Sequence, residues 1–318
     1  MVALLPSFRA ALSQFRNNLA KFKINPNMSG NASSGGARSE ASSRRATPSL
    51  QHATNFAALK DVHELLCTVQ KLPIPVGARE KVPGFLHLPA NYSPNQPGSI
   101  PAAAILLSGA GGGLTGPSAM YLSMGDKLAS LQCGIPVLRL DYRHPADTNP
   151  CVKDVISAMD YMENTYSINR FVLVGWSFGG APVFTVGGRE SERVVGCATV
   201  ASQTAATSGI RYLPPRPVLL LHGTGDATLS HRCSQNLYDS YGPTGDRTLK
   251  LFPGDNHALS KNSLEAEVLL CNFIAKCVGL KIEDGDQDRI VGKPLVPAEK
   301  KVPLMEKGGD LKGEEKVE

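Results

Sequence analysis

Apolar residues along this chain fall into two recurrent patterns. Some form short uninterrupted runs rich in Val, Leu, Ile and Ala, and others stand three and four apart in longer, half-polar stretches. A strand covered on both faces needs the first pattern, and a helix that covers it needs the second. The continuous runs occupy 102–107, 136–141, 170–176 and 194–201, and two more open the stretches 217–226 and 248–257. Between them lie helical stretches. One spans 117–131 with Gly134 as its stop, one carries Val152, Val155, Ile156, Met159 and Met162 on one face, and one spans about 263–278, with Asn262 or Ser263 as cap and Gly279 as stop. Ahead of them, 65–69 and 82–88 are strand-like and separated by a Pro/Gly turn, as an antiparallel opening of a sheet would be. Strand and helix in alternation predict an α/β fold with a doubly wound parallel sheet.

The run at 170–176 ends abruptly in Gly175-Trp-Ser-Phe-Gly179. A serine held on a tight strand-to-helix turn has a strained backbone, and side chains two residues to either side would collide with the adjoining elements. Gly175 and Gly179 remove those collisions, and Pro182 fits the first turn of the following helix. Such a turn lifts the Ser177 hydroxyl above the carboxyl end of the sheet and turns the Phe178 amide into the same space, so one turn offers a nucleophile and half of an oxyanion hole. Trp176, the only tryptophan, is expected in the packed layer beside the sheet end, with its N–H requiring a partner.

Serine becomes nucleophilic near neutral pH only with a base, and the base needs an acid to orient it. The stretch 217–226 ends at Asp226 and 248–257 ends at His257, each in a loop after a buried run. Asp255 and Asp147 compete for the acid role, and His222 and His144 for the base. Position favours Asp226 and His257, with His222 read as bracing a loop.

Gly-Trp-Ser-Phe-Gly at 175–179, His-Gly-Thr-Gly-Asp at 222–226 and Gly-Asp-Asn-His at 254–257 stand in the order Ser, Asp, His. With these motifs the chain over about 61–280 resembles the α/β-hydrolase superfamily, and most of all its small, lidless, dienelactone-hydrolase-like members. One departure matters: dienelactone hydrolases proper use cysteine where this chain has Ser177. The resemblance implies a three-layer α/β/α sandwich around a mostly parallel eight-stranded sheet. It also implies a Ser177–His257–Asp226 triad and an oxyanion hole completed by the loop after the 102–107 strand. In that loop, Ser108-Gly109-Ala110 occupies the place of the family's His-Gly-X. Ala110 is the candidate second donor, with a neighbouring glycine amide as the alternative. No Gly-Lys-Ser/Thr follows the glycines, so the loop is not a phosphate loop.

The implied chemistry is acyl transfer from small or soluble esters or thioesters, without metal or organic cofactor. The alternative is a catalytically silent α/β-hydrolase-fold interaction protein. Only the short segment 202–216 separates two of the strands where lipase lids are inserted, which predicts no lid and an open site.

Composition changes little of this. The 318 residues are 42% hydrophobic, enough for a sizeable core, and no apolar run reaches bilayer length. The net charge of +5 belongs to the N-terminus, where residues 1–50 hold seven Lys or Arg against Glu40 alone. The remainder is near neutral, without the electrostatic footprint of a nucleic-acid binder. Residues 1–24 place Leu5, Phe8, Leu12, Phe15, Leu19 and Phe22 on one helical face among basic residues, and a Ser/Gly/Arg stretch follows. That pairing resembles a mitochondrial or plastid presequence, and without one the expected location is cytoplasmic. Residues 1–60 are therefore expected to be an extension, 61–280 the domain, and 281–318 a charged disordered tail. Seven scattered cysteines without a C-x-x-C pair predict a reduced state and no structural zinc. Met120, Met124, Met159 and Met162 are expected to fill the core.

Overall fold

The structure, a computed structural model, describes residues 67–90, 92–94 and 100–312. The N-terminal extension and its presequence reading lie outside them, as do residues 313–318.

The chain order of elements begins with β1 (Thr68–Val76), β2 (Glu80–Leu88), β3 (Ala102–Leu107), α1 (Met120–Ala129), β4 (Val137–Leu140) and α2 (Thr148–Tyr166). It continues with β5 (Arg170–Trp176), α3 (Gly180–Arg189), β6 (Val194–Val200), β7 (Val218–Gly223), α4 (Arg232–Tyr241), β8 (Arg247–Phe252) and α5 (Ser263–Cys277). The eight strands form one sheet in the order β1-β2-β4-β3-β5-β6-β7-β8. Only β2 runs against the others: it pairs antiparallel with β1 and with β4, and every later pairing is parallel.

The continuous apolar runs are continuous because both faces of the sheet are covered. Ala102, Ala104 and Leu106 of β3, with Val172, Val174 and Trp176 of β5, enter one cluster with α1 and α5. The alternate residues, Ala103, Ile105 and Leu107 of β3 with Phe171 and Leu173 of β5, enter a second cluster with α2, α3 and α4. This period-two division of one run between two cores makes the three layers. Met120, Met124, Met159 and Met162 are fully buried within these clusters.

Three elements depart from the sequence expectation. β1 begins at Thr68, inside the expected 65–69, of which residues 65 and 66 lie outside the described ones, and it runs on through Pro73 and Pro75, paired with β2 across its whole length. As an edge strand it leaves one row of backbone groups outside the ladder, where proline is tolerated. The helix expected over 117–131 is broken near its start: Pro117–Ala119 form a separate tight turn, with Ser118 and Ala119 at φ 49° and 57°, before α1 begins.

The third departure is a correction, because residues 281–312 are not a disordered tail. A helical segment, Asp284–Asp286 continuing into Gln287–Val291, and α6 (Lys301–Gly308) wrap back over the face made by α1 and α5. Ile282, Ile290, Val291, Leu295, Val296, Leu304 and Met305 are buried there. They come mostly as adjacent pairs in a charged background, which gives neither a helical nor a strand period to read.

Candidate active site

β5 lies at the centre of the sheet between β3 and β6, so the turn that follows it opens among the carboxyl ends of the parallel strands. Ser177 occupies that turn at φ 54°, in the left-handed region, and is 5% exposed. A Cβ at Gly175 would lie 2.4 Å from the Gly179 carbonyl oxygen, and one at Gly179 would lie 2.7 Å from the carbonyl oxygens of both Leu107 and Ser108. Both positions therefore require glycine. The second set of distances also presses the elbow against the end of β3 and the start of the glycine-rich loop.

Trp176 ties the elbow to the loop after β8. Its ring is fully buried, its Nε1 donates to the His257 carbonyl at 3.1 Å, and its centroid is 5.5 Å from that of the His257 imidazole. The expected dry environment and N–H partner are both present.

His257 is fully buried, and its Nδ1 is 2.7 Å from Asp226 Oδ2. A carboxylate only accepts, so the proton of a neutral imidazole sits on Nδ1 and Nε2 presents its lone pair. Asp226 is held in turn. Its Oδ1 accepts from the amides of Thr228 and Leu229 at 2.9 and 2.8 Å, and its Oδ2 also meets His222 Nε2 at 3.0 Å. His222 Nε2 faces a second acceptor as well, the Leu229 carbonyl at 2.9 Å, while its Nδ1 faces the Ser234 hydroxyl at 2.7 Å. The satisfied arrangement puts the His222 proton on Nε2. His222 thus braces a loop by holding the carboxylate itself. Burial works to raise the Asp226 carboxyl, but the hydrogen bonds from His222 and His257 overcome it and hold the group well below the usual carboxylate range.

The competing residues are placed elsewhere. Asp255 is buried and spends its carboxylate on the amides of Asn256, Lys261 and Asn262 and the Asn262 side chain, which folds the chain into α5. Asp147 caps α2 by accepting from the Asn149 amide, and His144 is exposed in the same loop.

The glycine-rich loop begins with a turn closed by the Gly112 amide on the Gly109 carbonyl at 3.1 Å, with Ala110 at its second position. Gly112, Gly113 and Gly116 all have positive φ. Phe178 packs edge-on against Tyr142, with centroids 5.9 Å apart. Sequence reasoning missed two groups that fix this loop. Asp141 Oδ1 accepts from the Gly113 amide at 2.8 Å, and the carboxylate of Asp310 reaches the loop from the far end of the chain. It missed Ser118 as well, whose hydroxyl donates to the Ala258 carbonyl at 2.8 Å and joins the start of α1 to the His257 loop. No motif announces these contacts.

Among the described residues, Cys67, His87 and Asp126 bring ligand-type atoms within 4.8 Å of one another. Both His87 nitrogens are engaged, Nδ1 with Asp126 Oδ1 at 2.9 Å and Nε2 as acceptor from Arg139 Nε at 2.8 Å. Burial and the Arg139 guanidinium both push His87 down, towards the neutral ring. With a cation at one nitrogen and a carboxylate at the other, this is a closed hydrogen-bond chain, ill suited to a metal. All seven cysteines are unpaired, and no helix among the described residues is long and apolar enough to cross a membrane.

No family model matches the chain, and no curated protein does. Solved structures do match. The esterase domain of a Rhodothermus marinus protein has a TM-score of 0.53 at 18% identity, covering 67% of this chain and all (100%) of that one. The thermophilic esterase Est2 of Thermogutta terrifontis gives 0.53 at 15% identity, over 68% and 96%. The dienelactone hydrolase of Anabaena variabilis gives 0.52 at 16%, over 64% and 96%. At such identities the likeness speaks for the fold. With the strand order, the elbow after β5 and the short β6–β7 connection over 201–217, it shows that this chain has the α/β-hydrolase fold, with no lid domain among the described residues.

Proposed function

We propose that this chain is a serine hydrolase that cleaves carboxylic esters or thioesters of small or soluble substrates through an acyl-enzyme. The observation that carries the reading is the His257 Nδ1 to Asp226 Oδ2 bond of 2.7 Å, next to an elbow whose Trp176 is bonded to the carbonyl of the same histidine. The esterases and the dienelactone hydrolase among the similar structures support it.

In this mechanism Ser177 Oγ attacks the substrate carbonyl and His257 Nε2 takes the hydroxyl proton. Asp226 stabilises the imidazolium without itself becoming protonated. The Phe178 amide and an N–H of the glycine-rich loop, from Ala110 or a neighbouring glycine, donate hydrogen bonds to the carbonyl oxygen as negative charge develops on it. Collapse of the tetrahedral species passes the proton from His257 to the leaving alcohol or thiol. Water, deprotonated by the same histidine, then attacks the acyl-serine and releases the acid and the free hydroxyl.

Labelling of the full chain with a fluorophosphonate, read by mass spectrometry at Ser177, tests the assembly directly. A series of p-nitrophenyl esters of increasing acyl length reads turnover alongside it. Ser177→Ala and His257→Ala are each expected to lose roughly a thousandfold or more in turnover with the fold intact. Ester hydrolysis that survives Ser177→Ala would remove the assignment. Absence of labelling in the unaltered chain would leave the silent interaction protein as the better reading.

A further inference from the structure

The glycine-rich loop turns five donors towards one point. These are the amides of Leu114, Thr115 and Gly116 and the hydroxyls of Ser108 and Thr115, and the Asp310 carboxylate fills the point. Its Oδ1 accepts from Ser108 Oγ at 2.5 Å, the Thr115 amide at 3.1 Å and the Gly116 amide at 2.7 Å. Its Oδ2 accepts from the Leu114 amide at 3.2 Å, the Thr115 amide at 3.0 Å and Thr115 Oγ1 at 2.6 Å. Ser108, Thr115 and Asp310 are all buried, so these bonds are not shared with bulk water. The backbones also meet. A Cβ at Gly111 would lie 2.5 Å from the Asp310 carbonyl oxygen, and one at Gly113 would lie 2.5 Å from the Asp310 amide nitrogen. Those two glycines are required by the returning C-terminal segment.

The same segment holds the other side of the site. Lys301 Nζ donates to the Ser260 carbonyl at 3.1 Å and to Ser263 Oγ at 2.7 Å, just beyond His257. Ser118 Oγ, at the exit of the glycine-rich loop, donates to the Ala258 carbonyl. Residues 301–312 therefore span the two loops that flank Ser177, and the glycine-rich loop abuts the elbow through Leu107, Ser108 and Gly179.

We propose that residues 301–312 form a positioning strap for the active site, in which Asp310 acts as a positioning residue that fixes the glycine-rich loop so that its N–H can serve as the second oxyanion donor. The inference rests on the hydrolase reading above. Asp310 does not touch substrate; it acts by occupying the loop's inward donors, which leaves one backbone conformation for the residues that face Ser177. A strained glycine-rich turn without that acceptor would bury unpaired amides or open outward.

The test uses the full chain and its Asp310→Asn and Asp310→Ala variants. Asparagine keeps the volume but turns an NH2 towards donors, and alanine empties the carboxylate position. Expected for Asp310→Asn is a kcat on p-nitrophenyl acetate lowered about 10- to 100-fold, with KM within about threefold and the Ser177 fluorophosphonate labelling rate lowered in parallel, since both reactions place a negatively charged oxygen in the same hole, on a tetrahedral carbon in the ester and on a pentacoordinate phosphorus in the probe. Circular dichroism at the assay temperature should match that of the unaltered chain, with the thermal midpoint lowered by a few degrees yet well above that temperature, because the buried NH2 meets donors. For Asp310→Ala, millimolar formate should restore part of kcat by filling the vacated position. The proposal is overturned if Asp310→Asn keeps its kcat, if activity falls only in step with a lowered thermal midpoint, or if a folded Asp310→Ala is not rescued by formate. Where alanine does not fold, the asparagine kcat decides. Failure of the unaltered chain to label or turn over would instead count against the hydrolase reading, and so the two failures are distinguishable.

Discussion

Asp226 collects donors from three directions: His257, His222 and its own loop amides at Thr228 and Leu229. Its side chain has no exposed surface, so these bonds act with little solvent screening. The carboxyl is held below its ordinary range in the folded protein, which fixes a sign. A depressed carboxyl contributes stability that is fully present above the unfolded value of about 4 and is lost as pH falls through the lower folded value. Denaturant unfolding of the unaltered chain and of Asp226→Asn should therefore show a stability gap that is constant above about pH 5 and narrows below about pH 4. A gap that stays flat down to about pH 3 would refute the depressed carboxyl. The same variant should lose about a thousandfold or more in turnover, whereas Asp255→Asn should stay within a few-fold, because Asp255 serves only the entry to α5. A reversed order of losses would move the acid role to Asp255. At this scale the sequence is most legible where chemistry restricts residue type. Ser177 needs glycines at fixed offsets, and Asp226 and His257 each follow a buried run. Asp310 is illegible for the opposite reason, since nothing local distinguishes it from the other acids of a charged terminus.

Elements read well where one pattern persists over the whole element and poorly where backbone chemistry interrupts it. β3, β5 and β6 are uninterrupted apolar runs flanked by polar residues, and their bounds agree with the sequence reading to within a residue. β1 is hidden by Pro73 and Pro75, which argue against a strand unless its edge position is known, and that position is a property of the assembled sheet. The α1 start is displaced by the positive φ of Ser118 and Ala119, which continuous helical spacing does not foresee. The C-terminal segment is the largest departure, and its packing gives a direct measurement. Met305 on α6 is fully buried within the cluster that includes α1 and α5. Met305→Ala should cost about 2–5 kcal/mol of unfolding free energy, the usual range for truncating a buried aliphatic side chain. A cost below about 0.5 kcal/mol, the size of an ordinary surface substitution, would mean that the segment is not held there in solution.

For the molecule as a whole, the sheet is a shared wall between two cores, so each strand commits alternate residues to opposite layers. The layer architecture was legible because only a doubly covered sheet accounts for several uninterrupted runs. The strand order was not, since β4 lies between β2 and β3 and no local pattern specifies a neighbour. Every residue placed at the candidate site falls between 108 and 310. Deleting residues 1–50 is accordingly expected to leave esterase turnover within about twofold in vitro, with kcat and KM both measured. A larger loss would assign that segment a part in the site. Asp310 meets Ser108 across 202 residues, and contacts that distant in sequence form late. As the chain leaves the ribosome, β3, the elbow and His257 all emerge before Asp310. The proposed nucleophile and base are thus synthesised before the acceptor of the glycine-rich loop. On the proposed role of the strap, a chain made only to just past His257 would hold all three proposed triad residues and still lack the acceptor that fixes its glycine-rich loop.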